Sequence, residues 1–152
     1  MTAPVPKVLA VSSGGGHWVQ LQRLRPAFDR GRTVFVTVEP LYADEIPGAS
    51  VRCVPDANRE TPLRMLRMLL AVLAIVWRER PDVVISTGAA PGLFAILFGR
   101  LLGARTVWVD SVANAEQLSG SGHLVKRFAH LWLTQWPHLA GPGGPGYQGS
   151  VL

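Results

Sequence analysis

Val8-Leu9-Ala10-Val11-Ser12-Ser13-Gly14-Gly15-Gly16-His17 is the stretch on which the fold reading turns. An uninterrupted apolar run ends in three glycines. Beyond them, Leu21, Leu24 and Phe28 recur at i, i+3 and i+7, which places them on one face of a helix, and Gly31 marks its stop. A buried strand, a glycine turn and a helix therefore open the chain.

The same alternation continues outward from this unit. Thr33 to Val38 is almost wholly β-branched or aromatic and reads as a second strand. Val51 to Val54 is a short third strand, with Cys53 as a small buried hydrophobe. Residues 61–78 form a long helix, broken before Pro81. Val83 to Ser86, Thr106 to Val109 and Leu131 to Gln135 are further strands. Helices over Leu93 to Leu102, stopped by Gly103, and near Leu124 to Ala129 separate them. Continuous apolar strands, rather than alternating ones, indicate a parallel sheet covered on both faces. Strands alternating with helices then give a doubly wound, Rossmann-like α/β domain. We assign that domain to residues 1–140. Residues 141–152, opening Gly141-Pro142-Gly143-Gly144-Pro145-Gly146, read as a Gly/Pro-rich tail.

Totals narrow the function. The chain has 152 residues, 48% of them hydrophobic and 16% charged, which describes a core-forming domain. Lys and Arg number 15 against 10 Asp and Glu. That excess favours an anionic partner such as a lipid head group or a diphosphate. No basic run interleaved with aromatics marks a nucleic-acid surface. One cysteine excludes an internal disulfide and any cysteine-based metal site. No other ligand cluster has metal-site spacing, so no metal is expected. Met1 to Lys7 lacks the pattern of a secretory signal, which predicts a cytoplasmic chain.

In a doubly wound sheet the ligand crevice lies beyond the carboxyl ends of the strands. The unusual residues gather there. Gly14, Gly15, Gly16 and His17 follow the first strand, where glycines admit close backbone approach and a helix start offers N–H groups to an anion. The spacing of Gly14 and Gly16, with Glu39 closing the second strand, also suits a dinucleotide fingerprint, but its third glycine would fall at Val19. His17 is a candidate base or a neutral donor to a phosphate or sugar oxygen. Asp110, Ser111, Asn114, Glu116, Ser119 and Ser121 form the richest polar cluster. Asp110 and Glu116 are candidates for acid–base work or for holding a sugar hydroxyl, and the serines for helix capping.

The 61–78 helix is a second unusual feature. No polar side chain occurs from Met68 to Trp77, while Arg64 and Arg67 flank one end and Arg78 the other. The apolar part is too short to span a bilayer. It suits either a buried helix or an interfacial one whose arginines meet anionic lipid. Trp136 suits either core packing or a subunit contact.

The run Asp110-Ser111-x-Ala113-Asn114-x-Glu116-x-Leu118-Ser119-x-Ser121-Gly122, followed by Thr134-Gln135-Trp136-Pro137 and Tyr147-x-Gly149-x-Val151, carries a family resemblance. It resembles bacterial polysaccharide-biosynthesis subunits that are counterparts of the membrane-anchoring subunit of the two-chain dolichyl-diphosphate N-acetylglucosamine transferase. The opening Ser13-Gly14-Gly15-Gly16-His17 is similar to the same family and to glycosyltransferase family 28. The resemblance implies the amino-terminal half of a GT-B enzyme split over two chains. A second subunit would hold most of the UDP-sugar donor, no cofactor would be bound permanently, and this chain would meet a polyprenyl-diphosphate saccharide during exopolysaccharide or capsule synthesis. Gly14 to His17, together with Thr87, Gly88 and Gly92, would approach the acceptor diphosphate. Gln135 and Trp136 would belong to the partner interface. Anchoring would rest on surface helices at the cytoplasmic face of the membrane. The alternatives are a non-catalytic partner that recruits the catalytic chain, and a free-standing dinucleotide-binding domain.

Overall fold

A computed structural model describes residues 2–151. Seven parallel strands form one sheet: β1 (Val8–Val11), β2 (Thr33–Thr37), β3 (Ser50–Cys53), β4 (Val83–Ser86), β5 (Arg105–Val109), β6 (Leu131–Thr134) and β7 (Gly146–Tyr147). Their spatial order is β3-β2-β1-β4-β5-β6-β7. Val8 lies beside Thr33 on one side and Val83 on the other. The strand order therefore reverses between β1 and β4, and the ligand crevice of such sheets forms at that reversal.

Four helices cover the sheet: α1 (Gly16–Phe28), α2 (Pro62–Glu79), α3 (Ala89–Leu101) and α4 (Gly120–Val125). On one face Trp18 and Leu21 of α1 pack against Val8, Ala10 and Phe35. On the other, Met68, Val72 and Val76 of α2 and Ala95 and Ile96 of α3 pack against Leu9, Val11, Val34, Val84 and Trp108. Both faces of β1 and β4 are covered, which is why these strands are unbroken apolar runs. Two close approaches need glycine. A Cβ at Gly92 would lie 1.9 Å from the Ser86 hydroxyl, and one at Gly99 would lie 2.6 Å from Val84. These two positions let α3 settle onto β4.

The doubly wound sheet and its first six strands follow the sequence reading. Three local expectations need correction. Cys53 is exposed, not buried. It lies on β3, the edge strand, where only Val51 is even half-buried and the core contact passes to Val54. The segment read as a tail holds a strand in its described part: Gly146 and Tyr147 pair with Leu133 and Thr134. Arg23 Nη1 donates to the Val151 carbonyl at 2.9 Å, and Val151 N–H donates to Gln135 Oε1 at 2.9 Å. A two-residue strand between glycines and prolines carries no apolar pattern to find. The fourth helix starts at Gly120, earlier than its apolar residues suggest, because Ser119 caps it by accepting from Gly122 N–H at 2.8 Å.

Helix α2, the helix read at 61–78, has two unlike faces. One face is core: Met68, Val72 and Val76 are fully buried. The opposite face carries Leu63, Leu66, Leu70, Leu73 and Trp77, all exposed, with Leu63 at 75% and Trp77 at 57%. Arg64, Arg67 and Arg78 are also exposed. Arg80 leaves the helix in a left-handed conformation and stacks its guanidinium over Trp77, 4.7 Å from the ring centre. Among the described residues, no helix is long and apolar enough to cross a membrane.

Candidate functional site

The glycine loop after β1 and the loop after β4 meet at the strand-order reversal. Gly15 has φ 63° and Gly88 has φ 144°, conformations that a side chain resists. Gly88 also lies against the His17 ring: a Cβ there would be 2.5 Å from Cε1 and Nδ1. Two hydrogen bonds join the loops. His17 Nδ1 pairs with the Thr87 carbonyl at 3.1 Å, and Thr87 Oγ1 donates to the His17 carbonyl at 2.6 Å. A carbonyl only accepts, so Nδ1 carries the proton. In the neutral ring Nε2 is then left with a free lone pair.

Helices α1 and α3 both start at this junction, and neither start has a side-chain cap or an acidic residue in its first turn. Gly15 and Gly16 have open space where a side chain would be. Two positive helix ends therefore flank His17, an arrangement that suits an anion, although the Gly88 N–H is taken by Ser86 Oγ at 3.1 Å. Ala89, the first residue of α3, holds φ 65° without being glycine, so backbone strain is stored beside His17. Tyr42 supports the loop from below. Its hydroxyl accepts from Gly15 N–H at 2.8 Å and its ring stacks on Trp18 with centroids 4.7 Å apart.

The cluster after β5 is built differently. The Asp110 carboxylate is buried and already accepts four bonds. Trp108 Nε1 (3.1 Å) and Ser119 Oγ (2.6 Å) reach Oδ1; Ser119 N–H (3.0 Å) and Asn114 Nδ2 (3.3 Å) reach Oδ2. Gly122 is tight against it, since a Cβ would come within 2.6 Å of Oδ1. The geometry makes Asp110 the organiser of its loop. Glu116 is exposed, and among the described residues no hydrogen bond joins it to Asp110 or His17. Ser121 is half-buried in α4. Gly92 serves the packing of α3 on β4 rather than opening a surface.

Gln135, expected at a partner interface, is interior in this chain. Its Nε2 donates to Gln20 Oε1 at 2.7 Å and to the Asp110 carbonyl at 3.0 Å. Gln20 Nε2 in turn donates to Ser111 Oγ at 3.0 Å, and Gln20 Oε1 accepts from Val112 N–H at 3.2 Å. Trp136 is half-buried, with Nε1 donating to the Val112 carbonyl at 2.7 Å. Gln20 and Tyr42 were missed from sequence. Gln20 sits on a helix that also carries Gln22, Arg23 and Arg25, with nothing local to mark it as the buried one, and Tyr42 lies 27 residues from the glycine it supports.

The family model described as "Oligosaccharide biosynthesis protein Alg14 like" matches residues 42–144. The chain belongs to the Alg14-like family. Among its relatives is the UDP-N-acetylglucosamine transferase subunit ALG14 of Yarrowia lipolytica, 32% identical over 89% of this chain and 76% of that protein. The subunit alg14 of Schizosaccharomyces pombe is 28% identical over 90% and 79%. Among solved structures, MurG of Acinetobacter baumannii aligns with TM-score 0.73 at 13% identity, over 95% of this chain and 45% of MurG. UDP-N-acetylglucosamine 2-epimerase of Rickettsia bellii aligns with TM-score 0.68 at 14% identity, over 89% and 40%. These two likenesses show the fold alone, and this Alg14-like chain spans less than half the length of either neighbour. The half of MurG that it matches is a Rossmann-like GT-B half-domain.

Proposed function

We propose that this chain is the acceptor-side, membrane-associating subunit of a two-chain UDP-sugar transferase, inactive alone and extending a polyprenyl-diphosphate-linked saccharide. The observation that carries this reading is the convergence of two uncapped helix starts on one histidine whose outward nitrogen is free. The α1 and α3 N-termini would receive the acceptor diphosphate. His17 Nε2 would take the proton from the acceptor hydroxyl as its oxygen attacks the sugar C1 carbon. The bond from C1 to UDP breaks, the UDP leaves with the electron pair, and the anomeric configuration inverts. A partner chain would hold most of the donor. Relatives described as UDP-N-acetylglucosamine transferase subunits support a glycosyl donor of that class. No permanently bound cofactor is required.

The exposed leucine face of α2 with Arg64, Arg67 and Arg78 would seat on an anionic membrane at its cytoplasmic side. The exopolysaccharide or capsule setting rests on the sequence motifs, since the relatives named above are fungal. The saturation of Asp110 favours a second reading, in which the chain recruits and activates a catalytic partner without supplying a reacting group. Reconstitution separates the two. The partner is assayed alone, with this chain, and with His17→Ala. Partner-dependent turnover that survives His17→Ala selects the recruiting role, and robust turnover by this chain alone refutes both.

A further inference from the structure

The family resemblance gives Thr87 to the acceptor diphosphate, yet its polar groups face another way. Thr87 is fully buried, and its hydroxyl has a single proton. That proton goes to the His17 carbonyl at 2.6 Å, because a carbonyl only accepts. An oxyanion needs donors, so the Thr87 side chain has nothing left to give a phosphate. The Thr87 carbonyl is committed to the same residue, accepting from His17 Nδ1 at 3.1 Å. Thr87 therefore grips His17 twice across 70 residues of chain, once at the backbone of α1 and once at the ring. With its main chain and its ring both held, the imidazole cannot swing without breaking a bond.

The aim of that carbonyl is itself built. Between β4 and α3 the chain turns through Gly88 at φ 144° and Ala89 at φ 65°. Gly88 N–H donates back to Ser86 Oγ at 3.1 Å, which pins the turn to the end of the strand. A non-glycine residue at positive φ is strained and persists only where its surroundings over-determine it. Here Ser86 fixes the turn from the strand side and His17 fixes it from the helix side. Gly88 also leaves the room that the ring needs, since a Cβ there would lie 2.5 Å from Cε1 and Nδ1. Strain, hydroxyl and glycine all serve one geometry, a carbonyl facing Nδ1.

We propose that Thr87 is the positioning residue of His17. Its carbonyl keeps the ring proton on Nδ1, its hydroxyl holds that carbonyl against the ring, and Nε2 is left as the lone-pair nitrogen. In catalysis this rests on the transferase reading, in which Nε2 takes the acceptor proton. As a statement about the ring it stands apart from that reading.

The test reads the His17 tautomer directly, by two-bond proton–nitrogen correlation NMR on the isolated full chain at about pH 8, where an imidazole is neutral. The wild-type ring should carry its proton on Nδ1. Thr87→Ala should bring up the Nε2–H form, and Thr87→Ser, which keeps the hydroxyl, should suppress it again. In the assembled enzyme Thr87→Ala should lower kcat about fivefold, the weight of one neutral hydrogen bond, with KM unchanged, and Thr87→Ser should restore it. A wild-type ring protonated on Nε2 overturns the proposal, as does a Thr87→Ala spectrum identical to wild type. So does an unchanged kcat in Thr87→Ala when His17→Gln is inactive. If the tautomer responds as expected while turnover survives both Thr87→Ala and His17→Gln, the positioning of the ring stands and the reading of His17 as a base falls.

Discussion

Two regions lie at the carboxyl edge of the sheet and are finished in opposite ways. Around His17 the chain leaves groups open: two helix starts without side-chain caps, glycines at positive φ, a strained Ala89 and a free ring nitrogen. Around Asp110 everything is closed. The carboxylate accepts four bonds, Ser119 caps α4, and Gln20 and Gln135 hold the loop from beneath. An unmet polar group costs stability only when water is kept from it, and the exposed Gly15 and Gly16 leave the α1 start open to solvent or to a ligand. Under the proposed function the open region receives the acceptor, and the closed one is the frame that keeps it in place.

Breaking each region should give different symptoms. His17→Gln in the assembled enzyme should lower turnover by about 10²–10⁴-fold, the range for a lost general base, while the melting temperature of the chain stays unchanged. A Gly88→Ala chain should show a similar activity loss, because its Cβ would displace the His17 ring; recovery of a native-like rate in that variant would mean the ring's position is irrelevant. Asp110→Ala should do the reverse. It strands four donors, so about 3 kcal/mol of stability should go, seen as a melting point lower by about 10 °C. A merely catalytic Asp110 would leave the melting curve in place.

Smaller effects sharpen the contrast. Arg64→Glu/Arg67→Glu should weaken binding to anionic vesicles by about thirtyfold at low salt, at about 1 kcal/mol per basic residue. That difference should fade as the Debye length shrinks to about 3 Å at 1 M salt. Coincident wild-type and variant curves would reassign the α2 leucine face to a protein partner. The smallest effect belongs to the amino edge. Glu79 pairs with Lys7 at 2.7 Å and Arg52 at 3.3 Å, and the hydrogen bond from Lys7 leads in lowering its pKa below 4.5. Its stabilisation is complete above the unfolded-state value and lost as pH falls through the folded one. Urea melts of wild type and Glu79→Gln should differ by under about 1 kcal/mol at pH 7 and converge as the pH falls through the lowered folded-state value.

Much of this was legible in the residues. Val8 to Val11, Thr33 to Thr37 and Val83 to Ser86 announce themselves because strands buried on both faces must be apolar throughout. Gly14 to His17 stand out because a glycine such as Gly15, at φ 63°, turns the chain from strand to helix at little cost. Other features had no local signature. Cys53 looks buried because its neighbours are apolar, yet it lies on an edge strand. Gly146 and Tyr147 join the sheet only because β6 offers an open edge. The two faces of α2 look alike in sequence, and only packing against β1 and α3 separates Met68 from Leu70.

By itself, then, the sequence determined the doubly wound sheet, the order of its first six strands along the chain and the residues set at their carboxyl ends, because hydrophobic period and turn chemistry are local properties. Only the tertiary structure decided which of those residues are free. Asp110 and His17 are equally plausible acids or bases when read in line. They differ because Ser119 and Asn114 fold back onto one carboxylate, 9 and 4 residues along the chain, while Thr87 holds only the inner nitrogen of the histidine, from 70 residues away. Hydrogen-bond capacity is spent through contacts in space, and the spacing of residues along the chain does not record where it is spent.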